Sequence, residues 1–153
     1  MRPGARLGID VGTARIGVSR SDADGLLATP VETVPRGDGD IQRIAELIAE
    51  LDISEVVVGL PIALSGRETE STRDARAFAQ EVAQLRVAPV RLVDERLTTV
   101  SASSHLRQAG RTAKSSRSVI DQVAAVIILQ HALDFERTAS TAPGALVDPH
   151  EGT

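Results

Sequence analysis

The stretch GIDVGTARIGVSRSD, residues 8–22, begins the fold and raises its main functional question. From Leu7 to Val11 every second residue is apolar, which predicts a first β-strand. A short Gly-Thr-Ala-Arg turn then leads into a second strand, and with a third strand after the next turn these are predicted to form an antiparallel meander. Asp10 lies at the end of the first strand and has three open interpretations. It can belong to a phosphate-binding turn, hold a catalytic metal ion, or simply stabilise the turn.

The rest of the chain alternates between apolar strands and amphipathic helices, which predicts an α/β fold. The order β-β-β-α-β-α-β-α-α gives a mixed five-stranded sheet flanked by helices. It is also the order of the RNase H-like fold, which actin-type ATPase domains share. Residues 1–137 are expected to form this domain, and residues 138–153, which lack a core-forming pattern, a flexible C-terminal tail. After the first two strands, the predicted elements are a strand in LLATPVETV, a helix from Asp40, a strand in EVVVGLP, a helix from Ser71 or Thr72, a strand in VRLV, a helix over about 99–108 and a last helix from Ser118.

The composition excludes several classes of protein. The 153 residues suit one domain, and the absence of cysteine excludes disulfides, thiol catalysis and cysteine-ligated zinc. No apolar run approaches the ~20 residues of a membrane span, and the first residues lack a signal-peptide core. A cytoplasmic protein without a membrane partner is therefore expected. The net charge of −4 gives no overall attraction to nucleic acid.

One window of the sequence is nevertheless basic. Between Glu95 and Asp121 no residue is acidic. Residues 111–118 are predicted to form a polar, basic loop, which either contacts nucleic-acid phosphates or is an ordinary solvated loop. The cationic residues of the whole window are Arg96, Arg107, Arg111, Lys114 and Arg117.

Three acidic residues lie where an α/β active site needs them. Asp10 ends the first strand, Glu95 follows the last predicted strand, and Asp121 lies in the opening turn of the last predicted helix. If these carboxylates meet in one cleft they repel one another, and a divalent cation removes that repulsion. Mg²⁺ prefers oxygen ligands, and two such ions roughly 3.5–4 Å apart can activate water and stabilise the leaving oxygen of a phosphodiester. Each residue also has a structural interpretation, as a turn former, a polar residue after a strand and a helix cap respectively.

Five segments, taken in order, carry a family resemblance over about residues 7–133. They are GIDVGTARIGVS, VVVGLP, the charged Gly-containing loop before ARAFAQEV, DERLTT, and SVIDQVAAVIILQ. In this order they resemble the YqgF (RuvX) family, Holliday-junction-resolvase-like proteins that are regarded as pre-16S rRNA nucleases. The resemblance implies an RNase H-like fold and an endonuclease that uses Mg²⁺ or Mn²⁺, with two ions and with the family's acidic positions on Asp10, Glu95 and Asp121. Two features depart from the family: Arg20 replaces an apolar or small residue, and PIALSG lacks an asparagine after Gly-Leu-Pro.

The function that follows is hydrolysis of phosphodiester bonds in structured RNA, in the 5′-end processing of pre-16S rRNA during ribosome biogenesis. The alternative substrate is branched DNA, such as a Holliday junction in recombination and repair, and two symmetric cuts would suit a homodimer. Two further alternatives are an actin-type nucleotide-binding domain and an RNA-binding module without catalysis. The residues predicted to contact phosphates are Arg15, Arg73, Arg76, Arg96, Arg111, Lys114 and Arg117.

Overall fold

Six strands form one mixed sheet at the centre of the protein. The computed structural model describes residues 1–97 and 114–150. The strands are β1 (Ala5–Val11), β2 (Arg15–Ser21), β3 (Ala28–Pro35), β4 (Ile53–Leu60), β5 (Val90–Asp94) and β6 (Ala145–Leu146). Their order in the sheet is β3-β2-β1-β4-β5-β6. The first three strands pair antiparallel, β1 with β4 and β4 with β5 pair parallel, and β6 pairs antiparallel with β5.

The helices connect the parallel strands and cover the sheet. In the described part of the chain they are α1 (Asp40–Glu50), α2 (Glu70–Gln84) and α3 (Lys114–Ala139), and a short 3-10 helix covers Glu95–Leu97. A capping box stabilises the start of α2, because Thr69 and Thr72 each accept a hydrogen bond from the other's backbone N–H. No helix within residues 1–97 and 114–150 is long and apolar enough to cross a membrane.

Strand β4 is buried on both faces of the sheet. Val56 and Val58 lie in the apolar cluster that includes residues of α1 and α2, whereas Val57 lies in the cluster formed with α3. All three are at most 1% exposed. This alternation has the period of two of a strand, and helices on both faces explain why VVVGLP is continuously apolar. The predicted α/β fold with a mixed sheet flanked by helices is confirmed.

The last helix begins earlier than the sequence predicted. α3 starts at Lys114, not at Ser118, so Asp121 lies about two turns into the helix and not in its opening turn. A serine inside a helix costs only about 0.5 kcal/mol relative to alanine, so the cap-like Ser118 does not have to begin the helix. Part of the predicted basic loop, residues 114–118, is therefore helical. The helix predicted over 99–108 lies outside the described residues.

The prediction of five strands was wrong by one. Residues 138–153 were assigned to a tail outside the domain, yet Ala145–Leu146 pair with β5 as a sixth strand. The Val147 N–H donates to the Val90 carbonyl at 2.8 Å, and Gln80 Nε2 donates to the Asp148 carbonyl at 2.8 Å. A strand of two residues has no periodicity to detect in a sequence, because its pairing depends on the edge that β5 offers.

Candidate active site

Two of the predicted acidic residues lie at one edge of the sheet. Asp10 is next to the last residue of β1, and Glu95 directly follows β5. Both strands run parallel to β4, which lies between them, so their carboxyl ends meet at the same edge. Neighbouring strands are about 4.8 Å apart, so the two backbones are separated by roughly 10 Å. The side chains must close this distance.

A glycine in β4 gives Glu95 room to reach toward β1. A Cβ atom placed on Gly59 would lie 2.9 Å from Glu95 Oε2 and 2.6 Å from Ile128 Cδ1. The Glu95 carboxylate therefore lies over β4, on the face of the sheet that α3 covers. Any larger residue at position 59 would collide with this carboxylate or with the core. The apolar run VVVGLP predicts a buried strand, but it does not indicate why residue 59 is a glycine.

A second glycine brings Asp121 to the same place. Gly17 in β2 is the cross-strand partner of Asp10 in β1. A Cβ atom on Gly17 would lie 2.0 Å from the Asp121 carbonyl oxygen, so α3 makes its close approach to the sheet at this position. Cross-strand partners direct their side chains to the same face. Asp10 therefore faces α3 beside Asp121.

The three acidic residues line one open cleft, whose volume is about 460 Å³. Arg15 lines it as well, and its Nε donates to Asp121 Oδ2 at 2.9 Å. In their present arrangement, no three Asp, Glu or His side chains within residues 1–97 and 114–150 form a group that could hold a metal ion. The cleft is lined by Asp10, Val11, Gly12, Thr13, Ala14, Arg15, Pro61, Ser71, Asp74, Glu95, Ile120 and Asp121.

One wall of the cleft is held by an arginine that sequence reasoning missed. Arg36 donates through Nη1 and Nη2 to both carboxylate oxygens of Asp74, at 2.8 and 2.9 Å. Its Nη1 also donates to the Gly12 carbonyl at 2.8 Å, and its backbone N–H donates to the Ala14 carbonyl at 3.0 Å. Arg36 thus ties both ends of the β1–β2 turn to α2. The hydrogen bonds from Arg36 lower the pKa of the Asp74 carboxyl, which stays ionised.

Arg36 and Asp74 gave no signal in the sequence. They are 38 positions apart. Arg36 lies outside the five family segments, and Asp74 ends the predicted charged loop before ARAFAQEV without any pattern that predicts its partner. Their hydrogen bonds depend on how α2 packs beside the β1–β2 turn, and no local pattern encodes that packing.

The predicted phosphate contacts have different surroundings. Arg96 pairs with Asp94, which lowers the pKa of that carboxyl, and Arg76 pairs with Glu68 at 2.6 Å. Arg73 is exposed on α2. Lys114 and Arg117 lie in the first turns of α3, where only the backbone is described, and Arg111 lies outside the described residues.

Comparison with known proteins places the chain in a family. The model of the RuvX family, described as Holliday junction resolvase, matches residues 4–135. A protein of Leifsonia xyli named "Putative pre-16S rRNA nuclease" is 62% identical over 154 residues, which cover 99% of each chain. A protein of the same name from Clavibacter sepedonicus is 61% identical over 150 residues, which cover 96% of this chain and 93% of the relative.

The fold has a known structural counterpart. A solved structure described as "T. thermophilus RuvC in complex with Holliday junction substrate" covers 92% of this chain and 99% of its own, with a TM-score of 0.58 at 18% identity. At this identity the likeness concerns the fold, and it confirms the expected RNase H-like architecture. The family match and the close relatives extend over nearly the whole chain. The chain therefore belongs to the RuvX family, a family of nucleases described as Holliday junction resolvases.

Proposed function

We propose that this protein is a metal-dependent endonuclease whose catalytic residues are Asp10, Glu95 and Asp121. One observation carries the proposal: three carboxylates from β1, the end of β5 and α3 line the same open cleft. Two glycines allow this convergence, since side chains at Gly17 or Gly59 would displace α3 or Glu95. A protein that needed these acids only for turns and caps would not need that close packing around them.

The set of donor groups fits a divalent cation. Mg²⁺ and Mn²⁺ prefer oxygen ligands, and a few carboxylates with water and substrate phosphate are enough to hold Mg²⁺. Asp10, Glu95 and Asp121 would hold one or two such ions after their side chains adjust, because their present arrangement is not a closed ligand group. When bound, the ions supply an activated water and stabilise the leaving oxygen of the phosphodiester.

The protein's own groups bind and orient the nucleic acid. Arg15 lies in the cleft with its side chain 35% exposed, where it can reach a phosphate of the bound strand. Arg36 keeps the turn between β1 and β2 in place, which positions Asp10 and Arg15 on either side of that turn. Arg73 and Arg76 are exposed on α2, whose Ser71 and Asp74 line the cleft, and they are further candidates for phosphate contacts. The cleft is open, which suits a long polymeric substrate.

Structured RNA is the proposed substrate, in the 5′-end maturation of pre-16S rRNA in the cytoplasm. The close relatives are named as nucleases of this RNA, and they align over almost the full chain. Branched DNA is the second candidate, because the family description names Holliday junction resolvases and the RuvC neighbour was solved with such a junction. Symmetric cutting of a junction would require a homodimer, whereas a monomer could process RNA.

A cleavage assay with two substrates tests the proposal. Purified protein is incubated with a precursor 16S rRNA fragment and with a four-way DNA junction, each with EDTA, Mg²⁺ or Mn²⁺. We expect cleavage of the RNA that depends on the metal. Paired symmetric cuts in the junction, with a dimer in sedimentation analysis, would favour the second candidate.

The other two interpretations give different results in the same preparation. Tight ATP binding in calorimetry, without cleavage of either substrate, would support an actin-type nucleotide-binding domain. Binding of RNA without cleavage under any metal condition would indicate a binding module and would contradict the proposed nuclease.

A further inference from the structure

The ion pair between Arg15 and Asp121 occupies one of the proposed metal ligands. Arg15 Nε donates to Asp121 Oδ2 at 2.9 Å, and the two residues are 106 positions apart in the chain. Their side chains are 35% and 15% exposed, so the pair is open to solvent on the cleft side. A guanidinium at this position neutralises part of the charge that three neighbouring carboxylates would otherwise concentrate in the cleft.

The contact differs from the Arg36–Asp74 pair, which also borders the cleft. Arg36 uses both Nη atoms on Asp74 and is further held by the Gly12 carbonyl. Arg15 uses Nε, and within the described residues neither of its Nη atoms donates a hydrogen bond. Within residues 1–97 and 114–150, both Nη groups of Arg15 therefore remain available to a ligand in the cleft. Arginine binds phosphate through such paired N–H groups.

We propose that Arg15 is an internal counter-cation that a divalent metal displaces from Asp121, and that the displaced guanidinium then pairs with a phosphate of the substrate. The inference rests on the proposed nuclease function. A metal ion and a guanidinium cannot both use Asp121 Oδ2 without bringing two cations together. In the absence of substrate, Arg15 thus weakens the binding of the metal ion. Once the metal has displaced it, Arg15 strengthens the binding of the substrate.

This dual role gives Arg15→Gln effects of opposite sign. Without substrate, the variant should bind Mn²⁺ at least about threefold more tightly, because one competing charge is removed next to a ligand. At saturating Mn²⁺, its cleavage should be slower by about tenfold, because a charge-assisted contact to phosphate is lost. If Arg15 had only a structural role, its replacement would not raise the affinity for Mn²⁺.

The measurement is titration of Mn²⁺ by electron paramagnetic resonance, with cleavage rates measured on the same preparations. Arg20→Gln is the matched control, because Arg20 lies in the same strand, is exposed and does not line the cleft. It removes the same charge and should leave the dissociation constant within about twofold of the unmodified protein. Arg15→Lys keeps the charge and should bind Mn²⁺ with an affinity between those of the unmodified protein and Arg15→Gln.

The outcomes separate this inference from the proposed function. If the unmodified protein binds Mn²⁺ and cleaves RNA but Arg15→Gln binds Mn²⁺ equally or more weakly, the inference is overturned and the nuclease function stands. An equal tightening in Arg20→Gln would also overturn it, because the effect would then reflect net charge alone. If the unmodified protein neither binds Mn²⁺ nor cleaves, the proposed function and this inference both fail.

Discussion

The carboxylates at the two ends of the parallel strands have opposite surroundings. At the amino ends, Glu55 and Glu136 are each 4% exposed and are surrounded by arginines. Arg2 Nη2 donates to both carboxylates at 2.8 Å, Arg91 Nε donates to Glu55 at 2.9 Å, and Arg6 Nη2 lies 3.3 Å from Glu136. In this amino-end cluster three guanidinium groups share two acids. The cluster joins the N-terminal segment, β4, β5 and the end of α3.

At the carboxyl ends, the same strands lead into the open cleft with Asp10, Glu95 and Asp121. The contact from Arg15 to Asp121 lies at a surface that solvent and ligands can reach. A buried carboxylate that is paired with several arginines is neutralised within the protein. A carboxylate in an open cleft can be reached by a cation from solution. The surroundings of a carboxylate therefore decide whether it stabilises the fold or stays accessible to a ligand.

The largest expected effect is on cleavage, from Asp10→Asn. The amide keeps the shape of the side chain and can still serve the turn, but it is a poor ligand for a divalent ion. We expect cleavage to slow by more than about 100-fold, since even residues that only support metal ligands contribute 10–100-fold. Without metal, the melting temperature should hold or rise slightly, because like-charge repulsion falls.

Thermal melts without metal and cleavage assays across a Mg²⁺ titration measure both quantities. Asp38→Asn, which removes an exposed carboxylate outside the cleft, is the control for net charge. A variant of Asp10 that melts at a lower temperature yet cleaves normally would assign Asp10 to the fold and not to catalysis.

The second prediction is the reverse effect at the amino-end cluster. Glu136→Gln leaves the surrounding arginines, including the buried Arg6, without one of their carboxylates. Breaking a buried ion pair in this way should lower the free energy of unfolding by about 3 kcal/mol. Cleavage at a temperature where the variant is folded should not change. Urea denaturation measures the loss, and Glu46→Gln, which removes an exposed partner of Arg43, should cost less than about 1 kcal/mol.

The same cluster predicts a dependence of stability on pH. Hydrogen bonds from Arg2 lower the pKa of Glu136 from 4.5 to about 2 in the folded protein. The ionised carboxylate therefore stabilises the fold above about pH 4.5, and this contribution is lost as the pH falls toward 2. Urea midpoints measured across this range should fall less steeply for Glu136→Gln than for the unmodified protein. Parallel curves for the two proteins would show that the cluster is not the source of acid sensitivity.

A smaller effect on cleavage is expected from the Arg36–Asp74 ion pair at the border of the cleft, in which both carboxylate oxygens accept hydrogen bonds. Arg36→Gln loses the hydrogen bonds to Asp74 and to the Gly12 carbonyl, so the β1–β2 turn becomes less well positioned. We expect kcat to fall about tenfold with little change in KM, because positioning is lost and not substrate binding. Asp74→Asn should act similarly, and the double variant should be no worse than Arg36→Gln alone.

The control for this arginine is Arg43→Gln. Arg43 also pairs with a carboxylate, Glu32, but it does not line the cleft. An equal loss of kcat in this control would show that the effect of Arg36 is a general effect of stability.

The smallest expected effect is on RNA binding, from the basic window between Glu95 and Asp121. Replacing Arg111, Lys114 and Arg117 together by glutamine should weaken RNA binding severalfold and lower the slope of log affinity against log salt by about 2. The loss should be similar for unrelated RNA sequences, because phosphate contacts do not read bases. Filter binding across a salt series measures the slope. An unchanged slope would mean that this window is an ordinary solvated surface, and the functional region would then be limited to the cleft.

Several features of this protein follow from local sequence. The alternation around Leu7–Val11, the continuous apolar run in VVVGLP and the stripes of the helices predict an α/β fold with flanking helices. A period of two or of 3.6 residues is produced by the neighbours of each residue and needs no distant partner. The succession of the five longer strands along the chain also follows, as do Asp10 and Glu95 as residues at strand ends. The five segments in their order are enough to suggest the family.

Tertiary structure alone decided the rest. Three ion pairs join residues far apart in the chain: Arg2–Glu136, Arg15–Asp121 and Arg36–Asp74, which are 134, 106 and 38 positions apart. β6 forms by pairing with the free edge of β5. Positions 17 and 59 require glycine because α3 and the Glu95 carboxylate, respectively, lie close to them. Such contacts depend on how whole helices pack on the sheet, and the spacing of residues along the chain does not encode that packing.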